Sequence, residues 1–394
     1  MSALEGTRVI CIGQFYMAPY SSLLLARMGA DVIKIESPKG DPYRFLPTTT
    51  GSGNSIQFDL MNAGKKLMRI DLRTDEGREI LLELVQTADV VVQNLAPGAL
   101  DRMGLGYEVL SAANPRIILA SGSGFGSTGP YANDTAMDLT IQARAAIMST
   151  TGFMEGEPVR TGPSVVDLMG GTHLAVGILA ALLHRERTGV GQHIEVALQD
   201  AIVPALSSNI AALLSDPASP ERTGNRHGGL AVAPYNAYEA ADGWVTVLCP
   251  SQAHWDSLRK IMSDDRADDP ILQTMTGRAA HIDLVDEIVG DWVRKTSKHD
   301  VFTLLQAEGI PVAPVVTLPE LLNDPHFQHR NMLRTTATEH GNWHAWANPV
   351  LMSRSPMVEP TRPGALGSDT ESILRNDLGR DEESIGALRA ANII

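Results

Sequence analysis

Cysteine is nearly missing from this chain: 2 of 394 residues, Cys11 and Cys249, far apart and each in a β-like apolar stretch. That excludes a disulfide framework and a thiolate metal site, and it leaves both thiols as small buried hydrophobes. The histidines show no metal-ligand spacing, so no metal is expected. Basic residues are also in deficit, with 32 Lys and Arg against 46 Asp and Glu for a formal net charge of -14. This balance argues against a nucleic-acid partner, because phosphate backbones are engaged by basic patches. A small anionic ligand remains open through a local basic cluster. Long hydrophobic runs are absent too. The longest, Leu174 to Leu183, falls short of the roughly 20 apolar residues of a bilayer span. Met1 to Gly6 lacks the basic and apolar regions of a signal peptide, so a cytoplasmic protein with no membrane partner is expected.

What is present is a soluble-protein composition, 43% hydrophobic and 20% charged, in a chain long enough for more than one domain. The first two hundred residues alternate strand-like and helix-like segments. Arg8 to Gly13 reads as a buried strand, Tyr20 to Met28 as a helix ended by Gly29, and Ala30 to Glu36 as the next strand. A strand from Leu67 to Leu72 follows, then a helix from Glu76 to Thr87, a strand from Ala88 to Gln93, a helix from Leu100 to Asn114 and a strand from Arg116 to Ser121. Such alternation predicts an α/β fold whose parallel sheet is flanked by helices, in a large Rossmann-like domain with ligands at the carboxyl ends of the strands. Texture changes after residue 215. A hairpin from Asn236 to Leu248, helices at Gln252 to Met262 and His281 to Lys295, and a proline-punctuated return from Pro311 to Pro319 predict a smaller α+β domain. The expected division is 1–215 with 330–394 for the large domain and 226–325 for the small one, joined by linkers at about 216–225 and 326–345.

Gly124-Phe125-Gly126-Ser127-Thr128-Gly129 follows a strand and matches the dinucleotide fingerprint in letters only. Pro130 follows at once, no amphipathic helix opens at the third glycine, and no strand-terminating acid stands where a ribose hydroxyl would need one. The segment reads as a tight, backbone-exposing loop. Asp167 is more demanding. It interrupts the apolar stretch from Val165 to Met169, just before Gly170, Gly171 and an apolar helix expected over Thr172 to Arg187. A carboxylate there is capped, paired or chemically employed, since leaving it buried and uncompensated costs several kcal/mol or more. Capping the helix and acting on a substrate both fit the position.

Blocks along nearly the whole chain point one way. Leu4 to Ile10, Gly29 to Glu36, Gly40-Asp41-Pro42-Tyr43-Arg44, Gln93 to Gly98, Leu105-Gly106-Tyr107, Ser123 to Tyr131, Gly189 to Asp200, Thr223 to Arg226 and Pro234 to Tyr238 occur in order. At this spacing they resemble family III CoA-transferases. The resemblance implies an interlocked homodimer with a large domain built from both chain ends. It implies a carboxylate nucleophile at Asp167 that attacks the thioester of an acyl-CoA. An acyl-aspartyl anhydride and then an aspartyl-CoA thioester would follow, from which a carboxylic acid acceptor leaves as its CoA ester. Coenzyme A and its thioesters are then substrates, with no tightly bound cofactor. Backbone amides at the helix start would keep Asp167 ionised and Gly170 and Gly171 would admit a ligand close to the backbone.

The same resemblance places CoA contacts at Tyr16, Met17, Arg73, Asn94, Leu95, Arg102 and Met137, with a substrate loop at Gly228 and Gly229 beside His227. An arginine fork suits phosphate. Lys34 or Lys39 would offset Ser37 and Ala96, which stand where some members carry basic or polar residues. Met137, Met148, Met154 and Met169 could supply adaptable apolar surface to an acyl pocket. The loop Tyr16 to Pro19 lacks the glutamine of formyl-CoA transferases, which disfavours an oxalate and formate pairing. Asp138 follows Met137 where α-methylacyl-CoA racemases carry a histidine, and a thioether cannot hold a proton at neutral pH. Asp138 then reads as a cap for a helix from Leu139 to Met148. The racemase and a catalytically silent CoA-binding subunit are the alternatives.

Overall fold

The computed structural model of the protein describes residues 1–47, 54–338 and 341–394. Along the chain run β1 (Arg8–Ile12), α1 (Met17–Arg27), β2 (Asp31–Glu36), α2 (Ile56–Asn62), β3 (Lys66–Arg69), α3 (Asp75–Val85) and β4 (Val90–Gln93). Then come α4 (Ala99–Arg102), α5 (Tyr107–Ala113), β5 (Ile118–Ser123), α6 (Asp138–Arg144), α7 (Ile147–Thr150), α8 (Val165–Thr188), β6 (His193–Ala197) and α9 (Leu198–Ile202). The six strands form one parallel sheet in the order β3-β2-β1-β4-β5-β6. The mixed α/β architecture and its parallel sheet follow the sequence pattern.

Strand residues alternate between two apolar faces. Ile10, Ile33, Met68, Val91 and Leu119 share one core with Ile80, Leu84 and Leu110 of α3 and α5 and with Ile373 and Ile385 near the C-terminus. Val9, Cys11, Val32, Val90, Val92 and Ala120 alternate with them and are equally buried, and α1 and α8 pack beside this sheet. Both cysteines are free and buried. The strand order reverses between β1 and β4, the place where open α/β sheets leave a crevice for ligand.

Some boundaries differ from expectation for visible reasons. The helix expected over Leu100 to Asn114 is two, because Gly104 ends α4 in the left-handed region, φ 70°. Helix α8 begins at Val165, well before Thr172, so Asp167 stands in its first turn and is not its cap. Gly170 and Gly171, expected to admit a ligand close to the backbone, are there for close packing. A Cβ on Gly170 would stand 2.4 Å from Leu198, and one on Gly171 would stand 2.7 Å from the Met17 carbonyl oxygen. Protein fills the space expected to admit ligand. At 24 residues α8 is long and apolar enough to cross a membrane, unlike the shorter run read from sequence. In the fold it packs against α1, α9, β5 and β6.

The chain forms two compact units, Met1–Ile141 with Pro163–Ile202 and Pro325–Ile394, and Gln142–Gly162 with Val203–Asp324. The boundaries lie away from the change in composition: 142–162 and 203–215 belong to the second unit. The expected linker 326–345 is structured, with a helix Pro325–Arg330 and the hairpin of β10 (Leu333–Thr338) and β11 (Gly341–Trp346), next to α2. Its residues 339 and 340 lie outside those described. In the second unit β7 (Tyr235–Ala240), β8 (Gly243–Leu248) and β9 (Val312–Pro314) make an antiparallel sheet. Helices Gln252–Met262, Ile282–Val293 and Lys298–Ala307 cover its buried side around Trp255 and Arg278.

Candidate active site

A cleft of about 490 Å³ opens at the carboxyl ends of β1, β4 and β5 in the first unit. Phe15 and Met17 enter it from the β1–α1 turn, Asn94 to Pro97 from the end of β4, and Arg102 from α4. Gly122 to Gly124 follow along β5, Asn133 to Met137 come from the next loop, and Asp167 from α8. A second hollow of about 340 Å³ shares Leu95, Pro97, Arg102, Gly122, Ser123 and Asn133 with it.

The β1–α1 turn is fixed by side chains. Asn94 accepts from the Gln14 N–H and donates to the Gln14 carbonyl, both at 2.9 Å, so its amide serves the turn as a strand partner would. Met17 is buried at the cleft floor, where a Cβ on Gly122 would stand 2.5 Å from its sulfur. Glycine is needed there to let α1 approach the sheet.

Asp167 is half-buried, and its surroundings reverse the expectation that helix amides would keep it ionised. Those amides are taken by Asp138. One Asp138 carboxylate oxygen accepts from the N–H of Val166 at 3.0 Å and of Asp167 at 3.2 Å. Ser164, at the capping position, makes no side-chain cap. Asp138, expected to cap its own helix, therefore caps α8 from a distant part of the chain. Burial first, and the charge of Asp138 second, push the Asp167 carboxyl up to about 7 from an ordinary 3.8. A carboxyl so placed is a stronger base than a solvated aspartate and still ionises near neutrality.

Met17, Asn94, Leu95, Arg102, Met137 and Asp167 thus meet at one cleft. Tyr16 stands at the N-cap position of α1 without making a side-chain cap, and unlike its neighbours Phe15 and Met17 it is not among the residues that line the cleft. Arg73 does not join them: it is exposed, and Nε and Nη2 bond Asp71 at 2.8 and 2.6 Å, so its fork is already filled. Lys34 is fully buried, with Nζ 2.8 Å from Asp41, and its charge is committed there. Lys39 and Ser37 are exposed and Ala96 lines the cleft. Of the four methionines only Met137 is part of it among the described residues, and it is 55% exposed. Met148 and Met154 belong to the second unit. So do Gly228 and Gly229, where His227 Nδ1 accepts from the Gly229 N–H at 3.1 Å and a Cβ on Gly228 would meet Asn209 at 2.7 Å. This packing holds the segment against its own unit. The loop from Gly124 to Gly129 opens no helix, in keeping with the rejected nucleotide fingerprint.

The family description for CoA-transferase family III matches residues 4–370. This chain belongs to CoA-transferase family III. The transferase is 38% identical to a succinyl-CoA:mesaconate CoA-transferase of Haloarcula hispanica, over 84% of this chain and 85% of the relative. It is 33% identical to a formyl-CoA:oxalate CoA-transferase of Streptomyces coelicolor over 100% and 99% of the two chains. The solved structure of a CAIB/BAIF family protein from Brucella suis superimposes with a TM-score of 0.83 at 32% identity, covering 96% of the transferase and 99% of that chain. Phe15, Asn133 to Ala136 and Leu198 line the cleft without being site residues expected from sequence. Leu198 lies inside a block that carries the family likeness, which is the signal that could have found it.

Proposed function

We propose that this transferase moves CoA from an acyl-CoA to a carboxylic acid through covalent intermediates on Asp167. The carboxylate oxygen attacks the thioester carbonyl, the C–S bond breaks, and an acyl-aspartyl anhydride and CoA thiolate result. The thiolate attacks the aspartyl carbonyl of the anhydride and releases the donor acid, leaving an aspartyl-CoA thioester. The acceptor carboxylate attacks that thioester to give a second anhydride, and returning thiolate attacks its acyl carbonyl, yielding the new acyl-CoA and free Asp167. The observation that carries this reading is the half-buried Asp167 at the cleft, its carboxyl pushed up to about 7 by desolvation and then by the charge of Asp138.

Met17, Leu95, Arg102 and Met137 supply the wall for CoA in this reading, with Arg102 the basic group at the rim, and Asn94 acts by holding the turn. No tightly bound cofactor is invoked. The named relatives act on mesaconate and oxalate, both dicarboxylates, which supports a dicarboxylic acid as acceptor here, with oxalate itself still disfavoured by the missing glutamine between Tyr16 and Pro19. The racemase alternative is disfavoured because Asp138 caps α8 and Met137 stands beside it. A cytoplasmic homodimer is part of the same proposal, the second copy covering exposed leucines such as Leu214, Leu318 and Leu351. Incubation with succinyl-CoA, trapping with hydroxylamine and peptide mapping test the mechanism. A hydroxamate at Asp167 is expected. Full activity in Asp167→Ala with no Asp167 adduct would overturn it.

A further inference from the structure

Two buried lysines hold the segment that brings Phe15 and Met17 to the cleft, and they hold it differently. Lys34 Nζ donates to the Gly13 carbonyl at 2.7 Å and to the Asp41 carboxylate at 2.8 Å, so its charge has a counter-ion. Lys65, in the turn between α2 and β3, donates to the Pro19 carbonyl at 2.8 Å and to Asn62 Oδ1 at 3.0 Å. Both of its acceptors are neutral. Among the described residues Lys65 forms no ion pair, although only 5% of it is exposed. The Asn62 amide is fixed in this orientation, because Nδ2 donates to the Phe58 carbonyl at 3.0 Å and leaves the oxygen for Lys65. The turn is pinned as well. Gly64 adopts φ 80°, and a Cβ there would stand 2.9 Å from Arg27 Nη1.

The number of donors selects the form of Lys65 that fits. An ammonium presents three N–H groups and a charge, and this site offers two acceptors and no carboxylate. An uncharged amine presents two N–H groups, and both are taken. The ammonium would leave one donor unmet and one charge uncompensated, each costly in an apolar interior. The charged and titratable groups facing Lys65 are Cys11 of β1, Lys34 of β2, Asp41 of the turn after β2 and Arg27 of α1. Lys34 and Asp41 neutralise each other, and Arg27 adds a like charge. Burial, the largest cause, lowers the Lys65 pKa to about 7 from an ordinary 10.5.

The path from Lys65 to the cleft is short. Pro19 lies in the first turn of α1, two residues after Met17 at the cleft floor. A Cβ on Gly13 would stand 2.4 Å from the Ala18 Cβ, 2.9 Å from Asn94 Oδ1 and 3.1 Å from Pro19 Cδ. The first turn of α1 is thus wedged against the end of β1 and the Asn94 amide with no slack. Displacing Pro19 displaces Met17 or Asn94, and both line the cleft.

We propose that Lys65 is a positioning residue for CoA: as an uncharged amine it fixes the first turn of α1 through the Pro19 carbonyl, and taking up a proton weakens that hold. The inference rests on the reading of this cleft as the CoA site. Protonation adds an N–H with no acceptor and a charge with no counter-ion, so CoA binding weakens as pH falls through about 7. The group responsible does not line the cleft.

Nuclear magnetic resonance of the full chain, with lysine carrying ¹³C at Cε, reads Lys65 directly. Of the seven lysines, one is expected to titrate at about 7, and its signal to be missing from both Lys65→Met and Lys65→Gln. Seven signals that stay in the ammonium range, or a titrating one that survives both substitutions, overturn the proposal. Calorimetric titration with CoA then reads the consequence, in Asp167→Asn so that this carboxyl no longer titrates. The Kd with Lys65 present is expected to rise about 5-fold more from about pH 8 to about pH 6 than the Kd of Lys65→Met. At about pH 8 Lys65→Met is expected to bind about 10-fold more weakly than Lys65, and Lys65→Gln, which keeps two neutral N–H donors, to recover part of that loss. The same pH dependence in all three overturns the role of Lys65. A parent chain that binds no CoA at any pH overturns the CoA reading of the cleft instead, which keeps the two failures apart.

Discussion

Asp138 accepts the backbone N–H groups of Val166 and Asp167 with a single carboxylate oxygen, at 3.0 and 3.2 Å, and so occupies the helix N-terminus that Asp167 would otherwise use. One acid takes the stabilising amides and the other is left with the desolvation. The pair separates two carboxyls in function by environment alone.

Asp138→Asn tests that division. The amide oxygen still accepts from the helix, while the charge that acts on Asp167 is gone. Burial is the larger cause of the Asp167 shift and stays, so the apparent pKa of the acylation rate is expected to fall only partway from about 7 toward 3.8. Single-turnover rates across pH read it directly. An unchanged acid limb would contradict the electrostatic coupling.

Asp167→Asn has opposite effects on activity and stability. Turnover is expected to drop roughly 10⁴-fold or more, as when a covalent nucleophile is removed. The folded carboxyl titrates at about 7 and the unfolded one at 3.8, so as pH rises the unfolded chain releases this proton first. The group's contribution to stability is full below about 3.8 and is lost as pH rises through about 7. The variant should therefore melt a few degrees above the parent at pH 8, a gain on the order of 2 kcal/mol or less after screening, and lose that advantage at low pH. Calorimetry at both pH values decides it.

Gly171→Ala places a methyl 2.7 Å from the backbone oxygen of Met17, a contact that no rotamer change relieves. A loss of about 1–3 kcal/mol in urea unfolding is expected, together with reduced acylation because the start of α1 must retreat. Gly122→Ala meets the flexible Met17 side chain instead and is expected to be the milder of the two.

Arg102→Ala and Arg73→Ala separate the two arginines. Loss of the cleft-lining Arg102 should weaken CoA binding about 10-fold at low salt and less at high salt. Arg73, exposed and bound to Asp71, should leave it unchanged. Calorimetric titration with CoA reads both.

Much of this was legible because periodicity carries local structure. The strands from β1 to β5 and the hairpin of β7 and β8 stand within a few residues of where alternation and turn residues place them, and Gln252–Met262 coincides with its expected helix. Asp167 stood out because an acid in an apolar stretch is an anomaly in any fold. Asp138 was visible only as a cap for the residues beside it; that it serves a helix 28 residues downstream depends on tertiary packing no spacing rule encodes. Arg73 illustrates the converse. Its sequence neighbourhood suited a phosphate contact, yet Asp71 two residues away filled its fork. The helix expected from Thr172 begins at Val165 and holds Gly170 and Gly171 inside it, where they admit α9 and α1; such close approach depends on neighbours distant in sequence.

The buried Lys34 ammonium has one charge and two obligations, the Gly13 carbonyl and the Asp41 carboxylate. Opening either turn takes one of these two partners from a fully buried ammonium that has no water to replace it. One side chain thereby links the backbone before Phe15 to the turn that carries Tyr43.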